Sequence, residues 1–195
     1  MEATTIGHEL TQMSDAQLLR RVAEGEERAC HIFIDRHADG LYRLALKLVG
    51  NEPDAEDVLQ KTLLGAFQDP DAFENRSSVK TWLTSILMNQ AAKHHRSVYR
   101  RREREVTNQA EVHRAPSENE SIPSTSDVDI RMDVEAALGE LSTEHREVIL
   151  LREFQGMTYR EIADVLGIPR GTVESRLHRA RRELKEKLAD YLPGA

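Results

Sequence analysis

The chain has 195 residues, of which 39% are hydrophobic, 31% are charged and only 5% are aromatic, and its formal net charge is −7. This length suits one medium or two small domains, and the scarcity of aromatic residues favours helices with aliphatic cores over a β-sandwich. No apolar run reaches the ~18–20 residues of a membrane span, residues 1–14 do not resemble a signal peptide, and the single cysteine excludes an intrachain disulfide, so we expect a cytoplasmic protein without membrane insertion.

The charges are unevenly distributed along the chain. Residues 93–104 carry six Lys or Arg and a single acid, and a second basic run occupies residues 170–187. Acids gather between these runs, in residues 105–135. A negative net charge alone opposes binding to nucleic acids, but two basic patches separated by an acidic segment are typical of two DNA-binding parts on one tether.

The N-terminal block predicts four helices. Ser14 can cap the first, Gly50 ends the second, and Asp54 can cap the third. The fourth runs from about Val79 past Arg96. Each helix has aliphatic residues at helical spacing, which predicts a small helical domain over residues 14–99, after a tail of residues 1–13.

The third predicted helix carries a polar stripe opposite its apolar side. The stripe consists of Asp54, Glu56, Asp57, Gln60 and Lys61. Such a stripe can pair with a basic helix of a partner protein. An ordinary amphipathic surface helix has the same composition, so the pattern alone leaves both interpretations open.

A polar loop, residues 69–78, precedes the fourth helix. Its polar side chains include those of Asn75, Arg76, Ser77 and Ser78. Trp82 is expected in the core because it shares a helix face with Ile86. The fourth helix then offers five polar side chains to phosphates: Lys80, Asn89, Lys93, His94 and Arg96.

Residues 100–130 have no apolar periodicity. They contain Pro116, Pro123, several serines and many acids. This composition predicts a flexible acidic linker between the first domain and a second one at residues 131–192.

The second domain is predicted to hold a helix-turn-helix. Ser142 can cap one helix, and Thr158 forms a capping box with Glu161 at the start of the next. Gly167 supplies a left-handed residue for the turn before a long last helix. A plain helical hairpin with a solvated basic face is the alternative.

The last helix predicts one buried face and one DNA-facing side. Val173, Leu177, Ala180 and Leu184 recur at helical spacing and should face the core. The DNA-facing set is Arg170, Thr172, Ser175, Arg176, Arg179 and Arg182. The first four lie toward the N-terminal end of the helix and are expected to read bases, and the last two to meet phosphates.

Leu141 to Leu188 resembles region four of bacterial sigma factors, and GIPRGTVESRLHRARR, Gly167 to Arg182, is close to that family's signature. The resemblance implies that the last helix docks in the major groove of the promoter −35 element. The same helix-turn-helix is also similar to the output domains of response regulators.

DAEDVLQKTLLGAF, Asp54 to Phe67, resembles the region-two helix with which sigma factors bind RNA polymerase. The resemblance implies contact with the β′ clamp coiled coil through Asp57 and Gln60. FENRSSVKTWLTSILMNQAAKHHR, Phe73 to Arg96, resembles the part of region two that melts the −10 element and holds its single strand. The resemblance implies that the loop of residues 69–78 receives an unstacked base, on which Phe73 could stack if it is exposed. The residues that could hydrogen-bond this base are Asn75, Arg76, Ser77 and Ser78. The resemblance to sigma factors further implies that region four contacts the β flap of the polymerase and that an anti-sigma factor is a partner.

The chain departs from the family pattern in its fourth helix. Lys93 stands where an acid is common, Met88 stands where a cation is common, and the pair His94 and His95 is unusual. Only regions two and four are matched, which indicates the small extracytoplasmic-function (ECF) type. The departures leave the −10 preference open.

No catalytic, cofactor or metal site is predicted. Cys30, His31 and His37 are candidate metal ligands by residue type, but residues 30 and 31 point to different helix faces and form no ligand pair with a residue four positions away. A phosphate-binding glycine loop and a nucleophile–base arrangement are both missing from the sequence, so an enzyme is not expected.

Three functions remain open at this point. The first is an ECF sigma factor. The second is a helix-turn-helix regulator that acts on duplex DNA without being a polymerase subunit, and the third is an interaction protein that titrates an anti-sigma partner. The stripe on the third helix and the loop before Trp82 favour the first, because a simple repressor needs neither.

Overall fold

The computed structural model describes residues 10–108 and 127–189, and every regular element in these ranges is helical. The chain forms two compact units that divide near Val98 and Tyr99, with residues 163–167 grouped with the first. The prediction of an all-α fold is therefore confirmed. The tail up to residue 9, the linker residues 109–126 and residues 190–192 of the predicted second domain lie outside the described residues, and the predicted domain boundaries stay predictions.

The N-terminal unit is built from helices and one short 3₁₀ turn, and its last helix runs past the division at Val98. The elements are α1 (Asp15–Ala23), α2 (Glu27–Val49), α3 (Glu52–Gln68), a 3₁₀ turn (Pro70–Ala72) and α4 (Val79–Asn108). Helix α4 continues to Asn108, inside the segment predicted as linker.

The helix ends follow local side-chain chemistry. Ser14 caps α1 through a capping box in which its Oγ accepts from Gln17 N at 3.3 Å and Gln17 Oε1 accepts from Ser14 N at 2.9 Å. Gly50 ends α2 in the left-handed conformation, at φ 84°. The predicted caps at both positions are confirmed.

The cap predicted for α3 is wrong by three residues. Asn51, not Asp54, is the cap, and its Oδ1 accepts from Asp54 N at 3.0 Å. The helix therefore begins at Glu52 with Pro53 in its first turn, where the missing N–H of proline costs no hydrogen bond.

The core of the N-terminal unit lies where α1, α2 and α3 pack together and α4 adds its buried face. Phe33 on α2 is fully buried, and its ring centroid is 5.6 Å from that of Phe67 on α3. Leu83 and Leu87 are the fully buried leucines of α4. Burial of each such side chain contributes about 1.5–3 kcal/mol, so this shared core fixes the helices that carry the exposed polar faces.

The C-terminal unit consists of short helices and one long one. They are α5 (Asp127–Glu140), α6 (Thr143–Ile149), a π-helical turn (Leu150–Phe154), α7 (Tyr159–Leu166) and α8 (Arg170–Lys187). Helix α6 packs on α8, as does α5. Val148, Leu151 and Leu177 are among the fully buried side chains.

Local chemistry again sets the helix ends. Ser142 Oγ accepts from His145 N at 3.3 Å at the start of α6. Glu161 Oε2 accepts from Thr158 N at 2.9 Å, and Thr158 Oγ1 accepts from Glu161 N at 3.3 Å, which forms the predicted capping box. Gly167 adopts φ 64° between α7 and α8. No described helix is long and apolar enough to cross a lipid bilayer.

Candidate nucleic-acid and protein interfaces

Helix α3 buries one face and exposes the opposite one. Ala55, Val58, Thr62 and Ala66 are buried. At 100° per residue, Gln60 and Asp57 project on the opposite side, and both reach solvent together with Glu56. The predicted polar stripe is therefore present on an exposed face.

Leu64 belongs to the same exposed face, and sequence reasoning missed it. Its side chain is 50% exposed although it is a large hydrophobic residue. It follows Gln60 by four residues and Lys61 by three, so the three side chains are neighbours. Lys61 Nζ lies 2.5 Å from Asp57 Oδ2, so these two polar side chains of the exposed face are paired with each other.

Asp54 lies apart from this surface. Its carboxylate accepts from Asn51 Nδ2 at 2.7 Å and contacts His94 Nε2 of α4 at 3.2 Å. The side chain therefore turns toward α4 and connects two helices of the unit. Of the five residues predicted to bind the partner, Asp54 is the one whose side chain contacts another helix of its own unit.

The loop before α4 presents an exposed polar tip. Asn75 adopts φ 56°, a left-handed conformation that asparagine tolerates better than most residues. Arg76 forms an ion pair with Glu74, and both side chains reach solvent. Ser77 is exposed as well, so three of the predicted loop residues are accessible to a ligand.

Ser78 and Phe73 have structural contacts. Ser78 Oγ accepts from Thr81 N at 3.0 Å, so that Ser78 caps α4. The Phe73 ring packs on Trp82 at a centroid distance of 5.4 Å, and both rings are half-buried. Trp82 is thus only partly in the core, and it covers part of the Phe73 ring.

Three of the five residues predicted on α4 share a face, and His94 instead contacts Asp54 of α3. Asn89, Lys93 and Arg96 follow one another at intervals of four and three residues and are exposed. Arg100, four residues further, continues this basic stripe. Lys80 does not join it, because nine residues at 100° each place it on the opposite side of α4 from Asn89.

The departures from the family pattern in α4 have structural explanations. Met88 is buried, and a buried position favours an apolar side chain over a cation. His95 Nε2 lies 3.1 Å from the Leu48 carbonyl oxygen, and His94 contacts Asp54. The histidine pair therefore joins α4 to the end of α2 and the start of α3.

Helix α8 separates a buried face from a polar one. Val173, Leu177 and Ala180 are buried as predicted, and Leu184 is half-buried. Of the DNA-facing set, the exposed residues are Arg170, Ser175, Arg179 and Arg182, and Thr172 is half-buried.

Acidic partners constrain several cations of α8. Arg170 Nε lies 2.9 Å from Glu174 Oε1 within the helix. Arg176 Nη2 lies 2.9 Å from Glu144 Oε2 of α6, and its side chain is only 21% exposed. The structure therefore separates Arg176 from the exposed members of its predicted set.

Within residues 10–108 and 127–189, no group of three or more His, Cys, Asp or Glu side chains is arranged to hold a metal ion. The three candidates weighed from sequence lie on one helix, α2, and are Cys30, His31 and His37. The His37 ring contacts Asp15 and Phe33, within its own unit.

Two family models match the chain. Residues 33–102 match the model described as sigma-70 region 2, and residues 131–184 match that described as sigma-70, region 4.

Curated proteins of similar length match nearly the whole chain. The RNA polymerase sigma-H factor of Pseudomonas aeruginosa is 32% identical over 94% of this chain and 98% of its own length. The ECF RNA polymerase sigma factor SigL of Mycobacterium tuberculosis is 35% identical over 86% of this chain and 93% of its own.

Two solved structures are similar in fold and sequence. CnrH, solved with the cytosolic domain of CnrY, gives a TM-score of 0.66 at 29% identity and covers 91% of this chain and 99% of its own. The sigma factor RpoE of Bartonella quintana, solved with the anti-sigma factor NepR, gives 0.57 at 33% identity and covers 76% of this chain and 89% of its own.

Proposed function

The chain belongs to the ECF group of the sigma-70 family of RNA polymerase sigma factors, and we propose that its two units divide promoter recognition between them. The N-terminal unit would bind core polymerase and the melted −10 element, and the C-terminal unit the −35 element. The observation that carries this proposal is the presence, in one chain, of exposed polar faces on α3, α4 and α8.

Core polymerase would bind to the exposed face of α3. Asp57, Gln60 and Lys61 supply polar groups for a helix of opposite charge, and Glu56 extends them. Leu64 adds an apolar anchor beside these groups. A buried apolar contact ringed by polar pairs is the usual composition of a stable protein interface.

The −10 element would bind to the loop tip and the basic stripe of α4. Asn75, Arg76 and Ser77 offer exposed donors and acceptors to the edge of an extruded base. Lys93 and Arg96 lie further along the helix and supply positive charge to the phosphates of the single strand.

The −35 element would bind to α8. Ser175 and Arg179 are exposed on the side of the helix opposite its buried face, and Arg170 is exposed in its first turn. An exposed polar side opposite a buried one is the requirement for insertion into the major groove. Arg182 lies one turn beyond Arg179 and is placed for a phosphate.

The partners follow from this assignment. We expect contact of the N-terminal unit with the β′ clamp coiled coil and of the C-terminal unit with the β flap. The similar solved proteins include a sigma factor held by an anti-sigma factor, so we also expect an anti-sigma partner. The role is one of binding and positioning in the cytoplasm, and polymerase supplies the catalysis.

Run-off transcription with purified core polymerase tests the function. We expect transcripts from a promoter library only when this protein is added. The isolated protein should shift promoter DNA weakly at physiological salt, because its net charge is −7 and its basic faces lie on two separate units. Tight, specific binding without polymerase, together with no transcript, would favour a regulator of duplex DNA.

A further inference from the structure

Arg176 stands in the N-terminal half of the proposed DNA-reading helix, yet it does not face the same way as its neighbours. Its guanidinium is turned toward α6, where Nη2 contacts Glu144 Oε2 at 2.9 Å. Ser175 and Arg179 on the adjacent stripe are exposed. An arginine committed to a carboxylate of its own domain has fewer donors left for a guanine edge.

We propose that Arg176 is a positioning residue, which fixes the rotation of α8 against α6 so that Ser175 and Arg179 meet the DNA. The proposal rests on the proposed function, since it assumes that α8 reads the −35 element. It assigns to Arg176 a role through other residues, in place of the direct base contact expected from its position near the helix start.

The surface of α6 that receives Arg176 carries two acids. Glu144 lies in the first turn, and Glu147 follows three residues later on the same side. Burial raises the pKa of Glu147, and the nearby charges of Arg176 and Arg146 act in the opposite direction. Loss of Arg176 would leave a half-buried carboxylate with less compensating charge, so the contact matters to the packing of α6 on α8.

Other ion pairs hold the later turns of α8. Arg181 contacts Glu153 of the π-helical turn at 2.7 Å, Glu183 contacts His145 of α6 at 3.0 Å, and Lys187 pairs with Glu140 of α5. Compared with these three pairs, the pair of Arg176 with Glu144 lies nearer to the N-terminal end of α8, which is the end proposed to enter the groove.

A small rotation of α8 would be enough to disturb base reading. Productive contacts need their side chains held within about 0.5 Å and 10–20° of the correct geometry. Ser175 and Arg179 precede and follow Arg176 by one and three residues, so they turn with it. The contact of Arg176 with Glu144 therefore sets the direction of both side chains together.

The test compares Arg176→Ala with Glu144→Ala in holoenzyme assembled on core polymerase. Binding is measured on the parental promoter and on all single-base −35 substitutions, across a salt series. Each variant should weaken binding roughly three- to tenfold and flatten preference at several base pairs together, with an unchanged salt slope. The double variant should be no worse than either single one, because the two residues act as a pair.

Three further variants separate positioning from reading. Arg176→Lys, which keeps the positive charge, should stay close to the parent, and so should the charge swap Arg176→Glu with Glu144→Arg. Lys187→Ala, which breaks a pair at the far end of α8, should keep the parental base preference. Urea unfolding of the same variants measures the Arg176–Glu144 coupling without DNA.

Two results would overturn the proposal. One is loss of preference at a single base pair in Arg176→Ala, with Glu144→Ala unchanged or tighter in binding, which would make Arg176 a direct reader. The other is a salt slope lowered by about one unit, which would place Arg176 on a phosphate. Failure of the parent holoenzyme to bind any promoter would instead contradict the proposed function, and the unfolding measurement would still decide the coupling.

Discussion

His94 Nε2 on α4 lies 3.2 Å from Asp54 Oδ2 on α3, and this contact joins the helix proposed to bind DNA to the helix proposed to bind polymerase. Asp54 also accepts from Asn51, the residue that caps α3. His95, the next residue along α4, contacts the Leu48 carbonyl oxygen at the end of α2. The histidine pair that departs from the family pattern thus links three helices of one unit.

His94→Ala should destabilise the N-terminal unit slightly. We expect the free energy of unfolding to fall by at most about 1 kcal/mol, because the Asp54 carboxylate is 39% exposed and solvent screens the pair. Urea unfolding measures the loss, and Arg43→Ala, which breaks the exposed pair with Asp39, is the control with no measurable change. If the double variant His94→Ala, Asp54→Ala loses as much free energy of unfolding as the two single variants together, the two side chains are not coupled.

The exposed face of α3 should determine the affinity for core polymerase. Gln60→Ala combined with Leu64→Ala should weaken binding roughly tenfold or more, since a polar contact and an apolar anchor are lost together. Fluorescence anisotropy of labelled protein with core polymerase measures the affinity, and circular dichroism checks that helicity is retained. Asp39→Ala on α2 serves as the control, and equal affinity of the double variant and the parent would refute this assignment of α3.

The loop tip should act in promoter opening. Alanine at Asn75, Arg76 and Ser77 together should reduce permanganate-detected melting more than closed-complex formation, because these side chains are proposed to hold an extruded base. Ser78→Ala is a contrasting variant, since loss of the α4 cap should lower stability by about 1 kcal/mol. An equal loss of melting and closed-complex formation in the triple variant would assign the loop to ordinary docking.

Acid should destabilise the N-terminal unit through His37. Burial lowers the pKa of His37 below its usual 6.5, and the charges of Arg36 and Lys80 act in the same direction, while Asp15 opposes them. As the pH falls below about 6.5, His37 becomes protonated in the unfolded chain before it does so in the folded one. The free energy of unfolding therefore falls with pH from about 6.5 down to the lowered pKa of His37 in the folded state.

The urea midpoint at pH 7.5 and at pH 5.5 measures this effect. His37→Gln should reduce the difference between the two midpoints, because glutamine does not titrate. An unchanged difference in the variant would assign the acid sensitivity to another group.

Features that depend on neighbours along the chain were predictable from sequence. Ser14, Thr158 and Gly167 set helix ends through contacts within three or four residues, and each was identified from its spacing alone. The buried face of α8 followed from the helical repeat of Val173, Leu177 and Ala180. The exposed stripe of α3 followed in the same way.

Features that depend on packing between helices were not predictable. Arg176 and Arg179 look alike in sequence, and only the position of Glu144 on another helix distinguishes them. Leu64 was passed over because an aliphatic residue in a helix is expected to be buried. In α3, asparagine and aspartate are equally good caps, so composition did not distinguish Asn51 from Asp54.

The π-helical turn at Leu150–Phe154 bears on how the chain tolerates changes in length. There Gln155 N donates to the Leu150 carbonyl oxygen at 3.2 Å, a span of five residues in place of the usual four. Such a turn holds one residue more than an α-helix needs. Deletion of one residue from this turn would therefore convert it to ordinary helix and leave the residues after it in roughly their present direction relative to α6. The same deletion in a regular stretch of α-helix would rotate everything after it by about 100°, so this turn is the place in the C-terminal unit where a one-residue gap is best tolerated.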